Sequence, residues 1–328
     1  MQFTLRDLMG LMVVVGLVLV LTPMFIEDSR GPSRANICRN NMRNLALAVI
    51  QYERMRDRYP GYSNDLDPKV TGTPNNERSW TFVILPYMDH RSLYEKHLQA
   101  QTPNTYDAAG KPVKGGIFDD FEIMVCPSVP AHLVLPGATN YVVNTGQIDR
   151  RATVHRGADF AANGVFHTGV AQSPDDKIIV TVSEFIADHD GLGTTLLMSE
   201  NADTRVWSDT NERYAGFTWH HVDGQPGPQA ISPLASMGIN VLTGQSKKNF
   251  PQAPALGYAR PSSFHQGGVN TAFCDGHVRF IGDKISYRVY QALMTPNGAA
   301  AVDNSTPQGT ALPHGHGAAK AVNEGDLQ

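Results

Sequence analysis

Cysteine is scarce in this chain. Three residues in 328 are too few for a disulfide scaffold and leave room for one bridge and one free thiol. Charge is sparse too, at 18% Asp, Glu, Lys and Arg, with a formal net charge of −4. That balance argues against a nucleic-acid partner, which calls for a basic stripe. No Gly-x-Ser-x-Gly, His-Glu-x-x-His or Cys-x-x-Cys occurs, so the local signatures of nucleophile elbows, zincin helices and dithiol redox turns are missing. No complete EF-hand loop and no internal repeat is present. What the chain does hold is 41% apolar residues, ample for a core, and 30 Gly with 21 Pro, which suit a fold with many turns.

The apolar residues are unevenly spread. Residues 8–26 form a run of 19 without a charge, mostly Leu, Val and Met. As a helix rising about 1.5 Å per residue, the run nearly crosses a hydrocarbon core of ~30 Å. A transmembrane anchor is expected. A cleaved secretory signal is the rival, opposed by the single basic residue Arg6, set beside Asp7, and by the absence of a small-x-small site after the run. Orientation pulls two ways. Arg30, Arg34, Arg39 and Arg43 outnumber Arg6 and the α-amine, and the positive-inside rule then favours a cytoplasmic C-terminal domain.

The start of the run points the other way. Phe3-Thr4-Leu5-Arg6-Asp7-Leu8 resembles the Phe-Thr-Leu-x-Glu-Leu opening of type IV pilins and pseudopilins. That resemblance implies a single-pass inner-membrane anchor with an extracytoplasmic C-terminal domain. It also implies assembly roles for Phe3 and for the acidic Asp7, which would meet a neighbouring subunit's amine. Gln2 stands where the family has the Gly of its cleavage site, and Asp7 replaces Glu.

Beyond Pro23 and a polar stretch at 27–34, an amphipathic helix is expected from Asn36. Cys38, Met42, Leu45, Val49 and Tyr52 recur at spacings of three and four, and Pro60-Gly61 ends the pattern. β-like runs follow at 80–85, 121–126, 140–143, 178–182, 195–199 and 215–219, with a short helix at 91–99. Segments 100–116 and 222–262 read as long loops. Residues 269–281 read as a hairpin with a two-residue type I′ turn at Asp275-Gly276, Phe273 opposite Val278 and Thr271 opposite Phe280. A helix is expected over 284–295.

Several blocks together resemble a bacterial prepilin-like family, domain of unknown function 1559, marked by a C-terminal H-x9-DG signature. His265, nine residues, then Asp275-Gly276 match that spacing. Cys38-Arg39-Asn40-Asn41-Met42, Tyr59-Pro60-Gly61, Ser79-Trp80, Leu85-Pro86-Tyr87-Met88, Cys126-Pro127-Ser128 and Thr139-Asn140-Tyr141-Val142 resemble further blocks in order. The resemblance implies a pilin-like anchor with an extracytoplasmic domain and no known activity. Because Cys38 and Cys126 both lie in family-like blocks, an oxidising compartment would allow them to pair, two buried free thiols being the alternative. Cys274 is left as a lone thiol.

The expected fold is α+β: a long pilin-like N-terminal helix, transmembrane then amphipathic, packed on a mainly antiparallel, loop-rich β domain. Residues 1–35 are read as anchor and short connector, 36–295 as helix plus β-rich domain, and 296–328 as a disordered tail. The expected function is structural, a membrane-held pseudopilin-like subunit or surface protein without catalysis, with the bilayer and other pilin-like subunits as partners. One alternative is a glycan- or peptide-binding module with Trp80, Trp207 and Trp219 as platforms. It would use Ca²⁺ through Asp188, Asp190 and Glu200, and no other cofactor is expected. A second is a hydrolase built on His265 and Asp275. Asp275 is explained by its turn, and His265 is expected to hydrogen-bond the loop 266–268 or the strand edge. His220-His221 with Asp223, and His314 with His316, are weaker metal candidates, adjacent His side chains on a strand pointing to opposite faces.

Overall fold

Helix α1 (Leu5–Arg56) runs unbroken for 52 residues, through Pro23 and Pro32. The computed structural model describes residues 5–66, 77–99, 120–147, 160–171, 178–219, 260–303 and 310–311. Side chains at 5, 7–8, 19–31, 99, 203–205, 303 and 310–311 fall outside that description, as do Phe3 and most of the two long segments read as loops. The connector expected at 27–35 is helical instead. A proline removes one backbone hydrogen bond, and here the helix continues past each. Among the described residues no helix is long and apolar enough to cross a membrane. Within the expected anchor, side chains are described over 9–18, and the large apolar ones from Met9 to Val18 are 48–69% exposed.

The other end of α1 buries one face. Cys38, Met42, Leu45, Val49 and Tyr52 all face the core, as their spacing requires, joined by Ala46 and Ala48. Asp57 at φ 52° ends the helix in a left-handed conformation. After it come β1 (Ser63–Asp65), β2 (Glu77–Ser79), α2 (Trp80–Ile84), α3 (Arg91–Gln99), β3 (Ala138–Gly146), β4 (Thr168–Gly169), α4 (Ser183–Ala187) and β5 (Leu196–Val206). Then follow α5 (Glu212–Ala215), β6 (Gly216–Thr218), β7 (Gly268–Phe273), β8 (Val278–Gly282), α6 (Tyr287–Met294), β9 (Val302–Asp303) and β10 (Thr310–Ala311).

Five strands make the central sheet in the order β6-β3-β5-β7-β8. Pairing is antiparallel except between β3 and β6. Alternation along β3 sends Tyr141 and Val143 to one face and Val142 to the other. The first face packs on α1, where Leu197, Met198 and Ala272 meet Met42, Leu45 and Val49. The second packs on α6, where Phe217, Val269 and Phe273 meet Tyr290, Leu293 and Met294. Helix, sheet and helix form three layers, an α+β arrangement with mostly antiparallel pairing. A smaller sheet, β2-β1-β4, flanks them.

Several expected strands are something else. Residues 80–84 form α2, capped by Ser79 Oγ, which accepts the Phe82 N–H, and every residue of α2 is buried. Residues 122–124 form a 3₁₀ turn, and 178–182 belong to no strand, though the Tyr59 N–H donates to Thr181 O. The hairpin register also differs: Ala272 pairs with Val278 and Asn270 with Phe280. Its loop is Cys274-Asp275-Gly276, with Gly276 alone at positive φ (+90°), a three-residue turn in place of the type I′ pair. The tail is ordered at its start. Asn163 Nδ2 donates to Val302 O and Asn163 Oδ1 accepts the Val302 N–H, while Ala301 is buried.

Candidate functional site

A charged side chain in the middle of a buried strand needs partners, and Glu200 on β5 has them. Pairing of β5 with β7 sets Ser199 against Thr271. That register brings Glu200 to Asn270, whose backbone N–H donates to Oε2 at 2.8 Å and whose Nδ2 donates to Oε1 at 3.0 Å. His265 Nε2 lies 3.0 Å from the same Oε1. The His265 and Glu200 side chains are 8% and 2% exposed, so water contributes little to satisfying either.

The loop carrying His265 is itself fixed. The His265 N–H donates to Ser263 Oγ at 3.0 Å, and the Ser263 hydroxyl donates to Gly268 O at 2.7 Å. Gly267, at φ +79°, makes the turn between them. This corrects the expected partner of His265: the ring reaches across to β5, and the loop is held by Ser263.

Two cysteines close the group. Cys126 Sγ sits 3.6 Å from His265 Nε2 and 3.7 Å from Glu200 Oε1. Its backbone N–H donates to Asn140 Oδ1 at 3.1 Å, and Asn140 Nδ2 donates to Asn201 O. Cys38 on α1 is joined to Cys126 by a disulfide. Tyr141 Oη donates to Cys38 O at 3.3 Å, and Ser128 Oγ lies 3.9 Å from Cys38 Sγ. Burial, and then the Glu200 charge, push the Tyr141 phenol well above its ordinary range. Four segments distant in sequence therefore meet in one closed spot. Cys38, Cys126, Glu200 and His265 present ligand-type atoms all within 4.8 Å of one another, the one such metal-ligating group among the described residues.

The two ends of the H-x9-DG segment do not meet each other. Asp275 Oδ1 accepts the His277 N–H at 3.0 Å and lies 2.6 Å from His277 Nδ1, while the Asp275 N–H donates to Leu192 O. Both ends instead reach α1. His265 does so through the cysteine pair, and Gly276 does so where an added Cβ would stand 3.0 Å from Ile50 Cδ1 and 3.5 Å from Leu47 Cδ2. Cys274 is buried, and burial pushes its thiol far up.

The Ca²⁺ candidates are not gathered. Asp190 Oδ2 accepts the Gly298 N–H at 2.7 Å, Asp188 is exposed at the end of α4, and Glu200 groups with His265 and the two cysteines, not with either aspartate. Trp80, Trp207 and Trp219 are at most 2% exposed, so none is a binding platform. His220, His221, Asp223, His314, His316 and Phe3 lie outside the described residues, as does the side chain of Asp7. Asn270 was not legible as a site residue, although a polar side chain between Val269 and Thr271 in a buried strand is a signal in itself.

An open cleft of 720 Å³ lies elsewhere, between the end of α1, α3 and the small sheet, lined by Tyr52, Arg56, Tyr59, Tyr87, Arg91 and Tyr94 among others. It shares no residue with the closed group around Glu200.

The family described as protein of unknown function (DUF1559) matches residues 29–287. No curated protein and no solved structure matches the chain.

Proposed function

Starting from the fact that the chain belongs to the DUF1559 family, proteins of unknown function, we propose that it is a non-catalytic, membrane-anchored, pilin-like structural protein. In this reading residues 8–26 cross the inner membrane once and the sheet domain lies on its outer side. Its partners are the bilayer and other pilin-like subunits, and its task is assembly or display. The observation that carries the proposal is the contrast within α1. One continuous helix buries the stripe Cys38, Met42, Leu45, Val49 and Tyr52 in the sheet domain and leaves its apolar residues from Met9 to Val18 uncovered. Apolar surface left in water costs roughly 25 cal/mol per Å². Lipid or a neighbouring helix would remove that cost. The Cys38–Cys126 bond supports an extracytoplasmic domain, because disulfides persist in oxidising compartments. This outweighs the arginine count beside the anchor.

The test is fractionation and protease shaving of intact cells, with electron microscopy of the released material. The full-length chain should pellet with inner membranes, and externally added protease should cut its C-terminal domain free. Filaments that label with an antibody to the domain would establish assembly. Recovery of the intact chain in the soluble cytosolic fraction would overturn the proposal.

The cleft, lined by four tyrosines and by charges of both signs, favours a second reading, a module that binds a glycan or a peptide. Binding to a glycan array or a peptide array that disappears in Tyr94→Ala and Arg56→Ala would favour it, and no binding on either would remove it.

A further inference from the structure

We propose that Cys38, Cys126, Glu200 and His265 are a binding site for one zinc-class divalent cation in the dithiol form of the protein, the disulfide and the cation being alternative cross-links at one place. The inference goes beyond the anchoring role and does not depend on it.

Spacing is the first support. A tetrahedral zinc, with metal–sulfur near 2.3 Å and metal–nitrogen or –oxygen about 2.0–2.2 Å, sets its ligand atoms roughly 3.3–3.8 Å apart. Cys126 Sγ to His265 Nε2 is 3.6 Å, and Cys126 Sγ to Glu200 Oε1 is 3.7 Å. His265 Nε2 to Glu200 Oε1, at 3.0 Å, is slightly shorter, as two atoms sharing a proton must be. Insertion of a cation between them sends that proton to ring Nδ1 or to solvent and asks for a few tenths of an ångström there, while the two sulfurs, bonded in the disulfide form, part to about 3.8 Å once reduced.

Donor type is the second. Two thiolates, an imidazole and a carboxylate suit zinc and not the oxygen-seeking Ca²⁺ or Mg²⁺. All four groups are buried or nearly so, with no open position, as in a structural rather than a catalytic site. Outer contacts already orient the ligands. The Asn270 N–H holds Oε2 and turns Oε1 inward, Asn140 fixes the Cys126 backbone, and Ser128 Oγ stands by Cys38 Sγ.

The exchange balances. A newly made chain carries two thiols, and on cation binding both lose a proton and ligate as thiolates. A small-molecule or protein disulfide can then oxidise the pair by thiol–disulfide exchange. The Cys38–Cys126 bond forms, the oxidant's S–S bond breaks to two thiolates, and the divalent cation leaves. Before oxidation the cation ties α1 to the sheet, and afterwards the disulfide does.

The test uses the full-length protein in detergent, reduced with a phosphine under argon and titrated with Co²⁺. One equivalent should bind, with a sulfur-to-cobalt charge-transfer band and the intense visible bands of four-coordinate cobalt, and Zn²⁺ should displace it. The oxidised protein should bind none. Glu200→Gln and His265→Ala should weaken uptake by at least about tenfold, whereas Cys274→Ser should leave it unchanged. Near-UV circular dichroism follows folding throughout. If reduction loosens the tertiary structure, Zn²⁺ should restore it. A reduced protein that neither binds cobalt nor recovers with zinc overturns the proposal, as does cobalt uptake indifferent to reduction or abolished by Cys274→Ser.

Discussion

A methyl group at position 276 would meet two obstacles at once. The backbone sits at φ +90°, and the added Cβ would lie 3.0 Å from Ile50 Cδ1 on α1. Gly276→Ala should therefore lower stability by about 1 kcal/mol or more, seen as a reduced midpoint in urea at unchanged slope. Asp190 makes a different prediction. Burial raises its carboxyl above the ordinary range, partly offset by the Gly298 N–H and by His189 and Thr295. A raised acid stabilises the fold fully below its unfolded pKa, about 3.9, and that contribution is lost as pH climbs through the folded value. The melting temperature of Asp190→Asn relative to the parent should thus climb as pH rises just past the ordinary carboxyl range, and level off beyond it. A gap of constant size across pH would refute this. At this scale the sequence was only partly readable. His265 stood out by its spacing to Asp275, yet its partner is Glu200, 65 residues upstream and in another strand. Nothing in local spacing encodes a contact made by strand register.

Single elements were readable wherever one side is buried and the other wet. The stripe from Cys38 to Tyr52 is such a case, and so are α3 and the side of Ile285, Val289 and Leu293, which packs against the second core. Leu45, fully buried between α1 and the sheet, should cost about 2–5 kcal/mol when cut to Ala, measured by denaturant titration. α2 could not be read this way. Burial on all sides of Trp80–Ile84 erases the helical period, and its aromatic and β-branched residues favour a strand on propensity alone. Its cap, Ser79, was the available signal. The hairpin failed by one residue because Asp-Gly serves both a two-residue loop and the second and third places of a three-residue one; that slip exchanges which face Phe280 takes, and it is 43% exposed.

For the whole molecule, the sheet domain and the buried half of α1 form one cooperative body, while the stretch from Met9 to Val18 adds nothing to that core. A chain beginning at residue 36 should fold with a melting temperature within a few degrees of the full chain and need no detergent. One beginning at residue 56 should fail to fold, because Met42, Leu45 and Val49 would be missing from under β5 and β7. Circular dichroism and size-exclusion chromatography decide both. The α+β class followed from the alternation of patterns along the sequence. The three-layer stacking did not, since it depends on which face of the sheet each helix meets.

The bond from Cys38 to Cys126 also fixes how the molecule bears tension. A pull applied at the N-terminal end of α1, resisted at the far end of the chain, passes covalently from residue 38 straight to residue 126. The 87 residues between them hang as a slack loop outside the strained path. The lower turns of α1, α2 and α3 would then feel none of the stretch, and β3 would be the first structure to resist it.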